Sequence, residues 1–321
     1  MAHIRSQSGV ALLTILIMVV LATILAMSIF KAQQATLDET KLLLRQDQAL
    51  LYAQSAEYFF SELLVQDAKD NDVDHLSENW AQPFPIFPIE DGAISGQIFD
   101  EQRKFNINTL LKDDGSINEA AVKFLQNILK KSDLDPQLAE GFIDWQDADE
   151  ETVGAMGAEN SYYRGLRDGY LAPNTLFNSV QQIQWVRGMT PEAYVRLKPY
   201  ITALPSRNTK MNINSAEPFL LSCLTENLNL LTVQNTLLQK RQNLEYFNNL
   251  DELWELEPFN TVPKDEQTVW ADLFAGKSQY FTAEIVVNLS ERRRTMTSQL
   301  YRRGQNVQTY QRAWILASEQ K

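Results

Sequence analysis

Five carboxylates, Asp144, Asp147, Asp149, Glu150 and Glu151, stand within eight consecutive positions, and Glu159 and Asn160 follow after a glycine-containing loop. Hard oxygen donors gathered on one loop suit Ca²⁺, which takes roughly 6–8 oxygens from carboxylates, amides and backbone carbonyls. The phasing is not that of an EF-hand, because the D-x-D-x-D-G run and its closing glutamate are missing. The same spacing also describes a solvated acidic loop capping helix N-termini, so the residues alone leave both readings open. Asp144 with Asp147 has the makeup of an acid–base pair, and carboxylate pairs hydrolyse glycans. The sequence offers no nucleophile–base pair, zinc motif or phosphate loop to accompany them. The single cysteine, Cys223, lies in the apolar run FLLSCL, and His3 and His75 are the only histidines. Cys223 therefore reads as a small core residue, and no intrachain disulfide is available.

The chain has 321 residues, with 41 acidic against 29 basic side chains and a net charge of −12. Phosphate affinity rests on clustered Lys and Arg, so this balance argues against a large nucleic-acid surface. Acidity suits a soluble extracytoplasmic domain and a hard cation.

The elements that must position the carboxylates begin with an uncharged apolar stretch over residues 10–30. It is long enough to cross ~30 Å of hydrocarbon at ~1.5 Å per residue. Its hydroxyls, Thr14, Thr23 and Ser28, are able to bond back to their own helix. Arg5 and His3 precede it, which puts the N-terminus in the cytoplasm and the remainder across the membrane. The run exceeds a secretory signal core and lacks an A-x-A-like exit. No glycine or proline occurs over residues 10–82, so the helix is expected to continue to about Asp67. Leu37, Leu44, Leu51, Phe59 and Leu63 recur on it at roughly helical spacing, a stripe that must face something. AQPFPIFP follows as an extended linker, and ISGQIFDEQRKFNIN reads as a hairpin turning near residues 101–102. A block of short helices comes next, then three strand-like runs, QYFTAEIVVNLS, TMTSQLYRR and TYQRAWILA.

Strands separated by so much helix are best joined in one sheet. The expectation is an α+β fold: a long N-terminal helix packed on a small antiparallel sheet, with a large all-helical domain inserted between strands. Residues 1–9 then form a leader, 10–30 the membrane helix, 31–109 the helix, linker and first strands, 110–277 the insert, and 278–321 the last strands. FNINTLL at 105–111 and MNINSAEPFLL at 211–221 echo each other, supporting two related units in the insert.

The junction Gly9-Val10 resembles the type IV prepilin signal. With SQSGVALLTILIMVVLATILA, FNIN, FIDWQDADE, GAENSYY, GYLAPN and MNINSA in this order, most of the chain is similar to the K-type minor pseudopilins of type II secretion systems. The resemblance implies the pilin-like fold, cleavage after Gly9 by the prepilin peptidase, and methylation of Val10. It also implies an inner-membrane anchor with a periplasmic domain in a Gram-negative bacterium. Thr14 occupies the fifth mature position, where most pilins carry a glutamate that meets a neighbour's amine. Its absence suits a subunit at the filament tip, with I- and J-type minor pseudopilins alongside through the Leu37–Leu63 stripe and the H-type below. Calcium is implied too, with Asp144, Asp147, Asp149, Glu159 and Asn160 as candidate ligands. The competing likeness is to helix-hairpin-helix DNA-binding modules, in FNSVQQIQWVRGMTPEAYVRLKPYI and FNNLDELWEL. Gly188 is the sole hairpin glycine there, which leaves little of the backbone-amide grip on phosphate.

Overall fold

The structure, a computed structural model, describes residues 8–290 and 292–315. Most of the expected leader and the last six residues thus lie outside the described part.

One helix, α1 (Ser8–Asp70), runs without interruption for 63 residues, ~95 Å at the helical rise. Its residues 10–30 are wholly exposed, as a lipid-facing segment requires. Thr14, Thr23 and Ser28 return their hydroxyls to the carbonyls of Ala11, Val19 and Leu25. The distal half lies on an antiparallel sheet of β1 (Phe84–Ile89), β2 (Gly92–Asp100), β7 (Tyr280–Leu289), β8 (Arg292–Arg303) and β9 (Asn306–Ile315), in that spatial order. Alternation along β7 buries Phe281, Ala283, Ile285, Val287 and Leu289 under the helix, where Ala49, Ala53, Phe60 and Leu64 meet them. Each fully buried large side chain contributes roughly 1.5–3 kcal/mol. Small residues set the approach: a Cβ on Gly96 would stand 2.8 Å from the Phe60 ring. Glu57 pins the same face, accepting bonds of 2.7 Å from both Nε and Nη2 of Arg312 and one of 2.8 Å from Thr309.

Two local expectations fail. The proline-rich run is not a linker but the edge strand β1, paired with β2 through Phe87–Ile94 and Ile89–Gly92. An edge strand tolerates Pro85 and Pro88 because its outward amides need no partner. The hairpin accordingly turns at residues 90–91, while Glu101–Arg103 is a 3-10 turn leading out of the sheet. The insert therefore spans residues 101–279, starting earlier than expected.

The insert holds α2 (Glu119–Lys131), α3 (Leu138–Asp144), α4 (Asn160–Arg164), α5 (Pro191–Leu197), α6 (Pro218–Ser222), α7 (Leu230–Gln242), α8 (Asp251–Glu255) and α9 (Lys264–Trp270). It is not purely helical. Two short parallel pairs close it, β3 (Phe105–Asn106) with β4 (Ile201–Thr202) and β5 (Met211–Asn212) with β6 (Phe274–Ala275). These pairs are the sequence echo in three dimensions. Asn108 exchanges two bonds with the backbone of Phe177, at 2.8 and 2.9 Å. Asn214 does the same with Phe247, at 2.7 and 3.0 Å. The insert is thus two repeats, each clamped by the second asparagine of its N-I-N motif.

The insert joins the sheet through a buried polar knot. Arg302 on β8 donates to Asp67 at 2.8 Å, to Asp74 and to the Ser278 carbonyl. Asp100, at the end of β2, accepts from Ser278 at 2.7 Å and Asn212 at 3.1 Å, as well as from Ser215. The end of α1, the sheet and the second repeat therefore meet at one point. Nothing in local sequence pattern announces this knot.

Candidate functional site

The carboxylate cluster is built on the first repeat. Asp144 ends α3 on its buried side, Asp147 follows one turn on, and Glu159 stands just before α4. One oxygen from each lies within 4.8 Å of the others. Asp144 accepts from the Val153 amide at 3.1 Å, which bends the intervening loop back over the site. Gly157 permits this closure, since a Cβ there would fall 2.4 Å from Asp144 Oδ2. Met156 N donates to Glu140 at 2.7 Å and anchors the loop from outside.

Of the four carboxylates among the five candidate ligands, then, three converge. Asp149 is exposed and accepts from the Glu151 amide. Asn160 has both ends of its amide engaged, accepting from Ala172 N at 3.0 Å and donating to Glu150 at 2.8 Å. It ties Glu150 to the segment at Ala172.

The electrostatics of the three are unbalanced. Among the described residues, Asp147 Oδ1 and both oxygens of Glu159 are buried without a hydrogen-bond partner. Burial first, and then repulsion among the carboxylates, pushes Asp144 up to about 6 and Asp147 and Glu159 up to about 7. Arg207 opposes the shift at Asp147 without cancelling it. Unpaired buried carboxylates at this separation hold a shared proton or a cation. An all-oxygen donor set favours a hard divalent ion such as Ca²⁺ over a transition metal.

A second candidate surface lies on α1. The stripe read from the sequence separates into two faces. Leu37, Leu44 and Leu51, at intervals of seven, are 53%, 59% and 63% exposed, while Ala53, Phe60 and Leu64 cover the protein's own sheet. Phe59 stays exposed beside Phe84, with ring centroids 4.8 Å apart. Leu63 is half-buried against the sheet core and belongs mainly to the fold. At the N-terminal end, Gly9, Val10 and Thr14 all lie on α1. The Thr14 hydroxyl, bonded to Ala11 O at 2.9 Å, asks nothing of a neighbour.

A lipid-length helix continuing onto a small antiparallel sheet defines a type IV pilin-like subunit, here enlarged by a double helical insert. The family model for type II secretion system (T2SS) protein K matches residues 103–206, which is the first repeat. Type II secretion system protein K of Aeromonas hydrophila is 32% identical over 95% of this chain and 96% of its own length. The protein K of Pectobacterium carotovorum is 28% identical over 96% of each chain. A solved structure described as the GspK-GspI-GspJ complex from the enterotoxigenic Escherichia coli system superposes with a TM-score of 0.77. It is 23% identical and covers 87% of this chain and all of its own. The chain belongs to the type II secretion system protein K family, the K-type minor pseudopilins. The helical repeats follow that family's architecture, so a DNA-binding role gains no support from them.

Proposed function

We propose that the chain is a non-catalytic tip subunit of the periplasmic pseudopilus, which it helps to initiate together with I- and J-type minor pseudopilins, with the H-type below. The carrying observation is the exposed stripe Leu37, Leu44 and Leu51 on α1, beyond the membrane segment and apart from the residues that cover the sheet. Such a face is costly in water and fits the long helix of a neighbouring subunit. The solved neighbour is a K–I–J complex, which supports the choice of partners. Thr14 adds direction, because a subunit without a carboxylate at this depth makes no demand on one placed before it.

Full-length chain co-expressed with its I- and J-type partners should co-purify with both. Leu44→Asp with Leu51→Asp should reduce recovery about tenfold or more, since burying two carboxylates in an apolar seam is prohibitive. Undiminished recovery would remove the stripe from the interface.

In the proposed topology the N-terminus is cytoplasmic, with Arg5 on the inner side, and the inner membrane holds the chain until the prepilin peptidase cuts after Gly9. A bulky Gly9→Leu substitution should leave the chain at its full mass, whereas the native chain should lose residues 1–9 and gain a methyl at Val10. Intact-mass spectrometry decides. The same mature mass for both proteins would show that processing does not depend on Gly9.

Ca²⁺ at Asp144, Asp147 and Glu159 has a structural role in this reading. It holds the loop over residues 148–158 against α3, supported by the unpaired buried oxygens described above. Asp149 lies on the same loop, within reach of a site that takes more than three protein ligands.

A further inference from the structure

The second repeat carries a feature that the first has filled. In the first repeat Trp145, which caps α3, stacks on the clamped Phe177 ring, with centroids 6.0 Å apart and planes 9° apart. Tyr163 and Tyr170 complete that aromatic packing. In the second repeat the residue over the clamped ring is a cation: Lys240, in the last turn of α7, holds its Nζ 4.6 Å from the Phe247 centroid. Beside it the aromatic fill is missing, and a cavity of about 200 Å³ opens between α7, residues 244–247 and the loop that follows α1.

The walls of this cavity are distinctive. His75 and Tyr246 stack face to face, 4.0 Å apart and 8° from parallel, and so form one flat side. Ser77 Oγ lies 2.7 Å from His75 Nδ1, and Glu78 Oε1 stands 3.5 Å from Nε2. Burial lowers the His75 pKa, against the pull of Asp67 and Asp74. The charge comes from Lys240 and Arg241. Basic residues in a last helical turn ordinarily lie in solvent and complement the helix end. Arg241 is instead largely withdrawn from water, and burial works against its charge. Its guanidinium makes one hydrogen bond, to Ala216 O at 2.9 Å, and no salt bridge among the described residues. On a chain of net charge −12, these two adjacent cations line one concavity, with Glu217 acting on Arg241 and Glu245 and Glu252 on Lys240, and the guanidinium has donors beyond its one hydrogen bond to offer an anion.

We propose that this cavity binds a carboxylate group presented by a peptide segment. A planar guanidinium fork matches a carboxylate in geometry. The stacked His75–Tyr246 wall suits the apolar body that carries it. The structure contains a stand-in for the ligand. Glu245 Oε2 lies 3.8 Å from Lys240 Nζ on a largely exposed side chain. This carboxylate is too loosely held to fill the site, and it competes with any guest.

The test uses the full chain in lipid nanodiscs and isothermal calorimetry with four probes. These are an acetylated Gly/Ala pentapeptide with a free C-terminal carboxylate, its C-terminal amide, the same amide carrying one glutamate, and inorganic phosphate. At least one carboxylate peptide should bind about tenfold or more tightly than the neutral amide, and the pair distinguishes a chain terminus from an acidic side chain. Glu245→Gln, which removes the internal competitor without touching a buried group, should tighten binding about threefold, and Lys240→Gln should weaken it about tenfold. Hydrogen exchange should slow in residues 240–247 when the peptide is bound. Equal affinity for the neutral amide, phosphate binding as tight as the peptide, or no change in Glu245→Gln would overturn the assignment.

Discussion

Arg302→Met should destabilise the full chain by about 3–5 kcal/mol, because it removes the guanidinium bonded to a buried group of carboxylates. Arg302 is bonded to Asp67 and Asp74, and all three side chains are almost wholly out of water. Methionine keeps an unbranched stem and most of the volume, so the loss measures mainly the charge rather than a cavity. The deficit should also depend on pH in a defined direction. Burial raises the pKa of Asp67 and of Asp74, and the bonds from Arg302 pull both back down. Burial likewise raises Glu78, and it takes Asp100 up to about 6. An acid with a raised folded pKa binds more protons folded than unfolded. Its contribution to stability is therefore present below the ordinary carboxylate range and is lost as pH rises through the folded value. Without Arg302 the folded values of Asp67 and Asp74 climb further, so the variant's deficit should shrink between pH 8 and pH 5. Glu57 titrates in the opposite sense: burial raises its pKa, but bonds from Arg312, Ser298 and Thr309 outweigh this and leave it lowered. It is unchanged by the substitution and cancels in the difference. Denaturant midpoints of both proteins at the two pH values provide the check. A deficit that stays constant with pH would mean that the knot does not store this charge.

The knot also marks the limit of what the sequence makes legible. The long helix, the C-terminal meander and the presence of an insert were readable because each rests on a local rule, such as seventy-three positions free of glycine and proline at residues 10–82 or the alternation in YFTAEIVVNL. The first hairpin was misread because proline ordinarily excludes a strand, and only the sheet order reveals that FPIFPI is an edge. Asp67 and Asp74, Asp100, and Arg302 come from three distant segments, and no periodicity links them. The carboxylate cluster falls between these cases. Asp144 and Asp147 are one helical turn apart, so their meeting was readable. Glu159 reaches them only through a loop closed by Gly157 and the Val153 amide. Asn160, adjacent in sequence, accepts from Ala172 N. The N-I-N echo proved the most productive small signal, since it located both asparagine clamps.

Substitutions in the carboxylate cluster should separate two effects of opposite sign. In the metal-free chain Asp147→Asn removes one of three mutually repelling buried carboxylates, so it should raise the melting temperature, on the order of 2 °C for about 1 kcal/mol in a protein of this size. The same change deletes a ligand, so added calcium should no longer stabilise. For the native chain, free calcium at a hundred times its Kd should contribute about 2.7 kcal/mol, and EGTA should reverse it. Protons and calcium compete for the same oxygens. With Asp144 at about 6 and Asp147 and Glu159 at about 7, the metal-free chain loses stability as pH rises from 5 to 8. The calcium-loaded chain should hold its stability over that range, because the ion replaces the protons as they leave. The gap between the two melting curves should therefore widen with pH, and in Asp147→Asn it should close. Magnesium, which keeps its own water and wants a tighter octahedron, should stabilise less at equal concentration. A native chain whose melting is indifferent to millimolar calcium at pH 8 would show that the three carboxylates share protons and hold no cation.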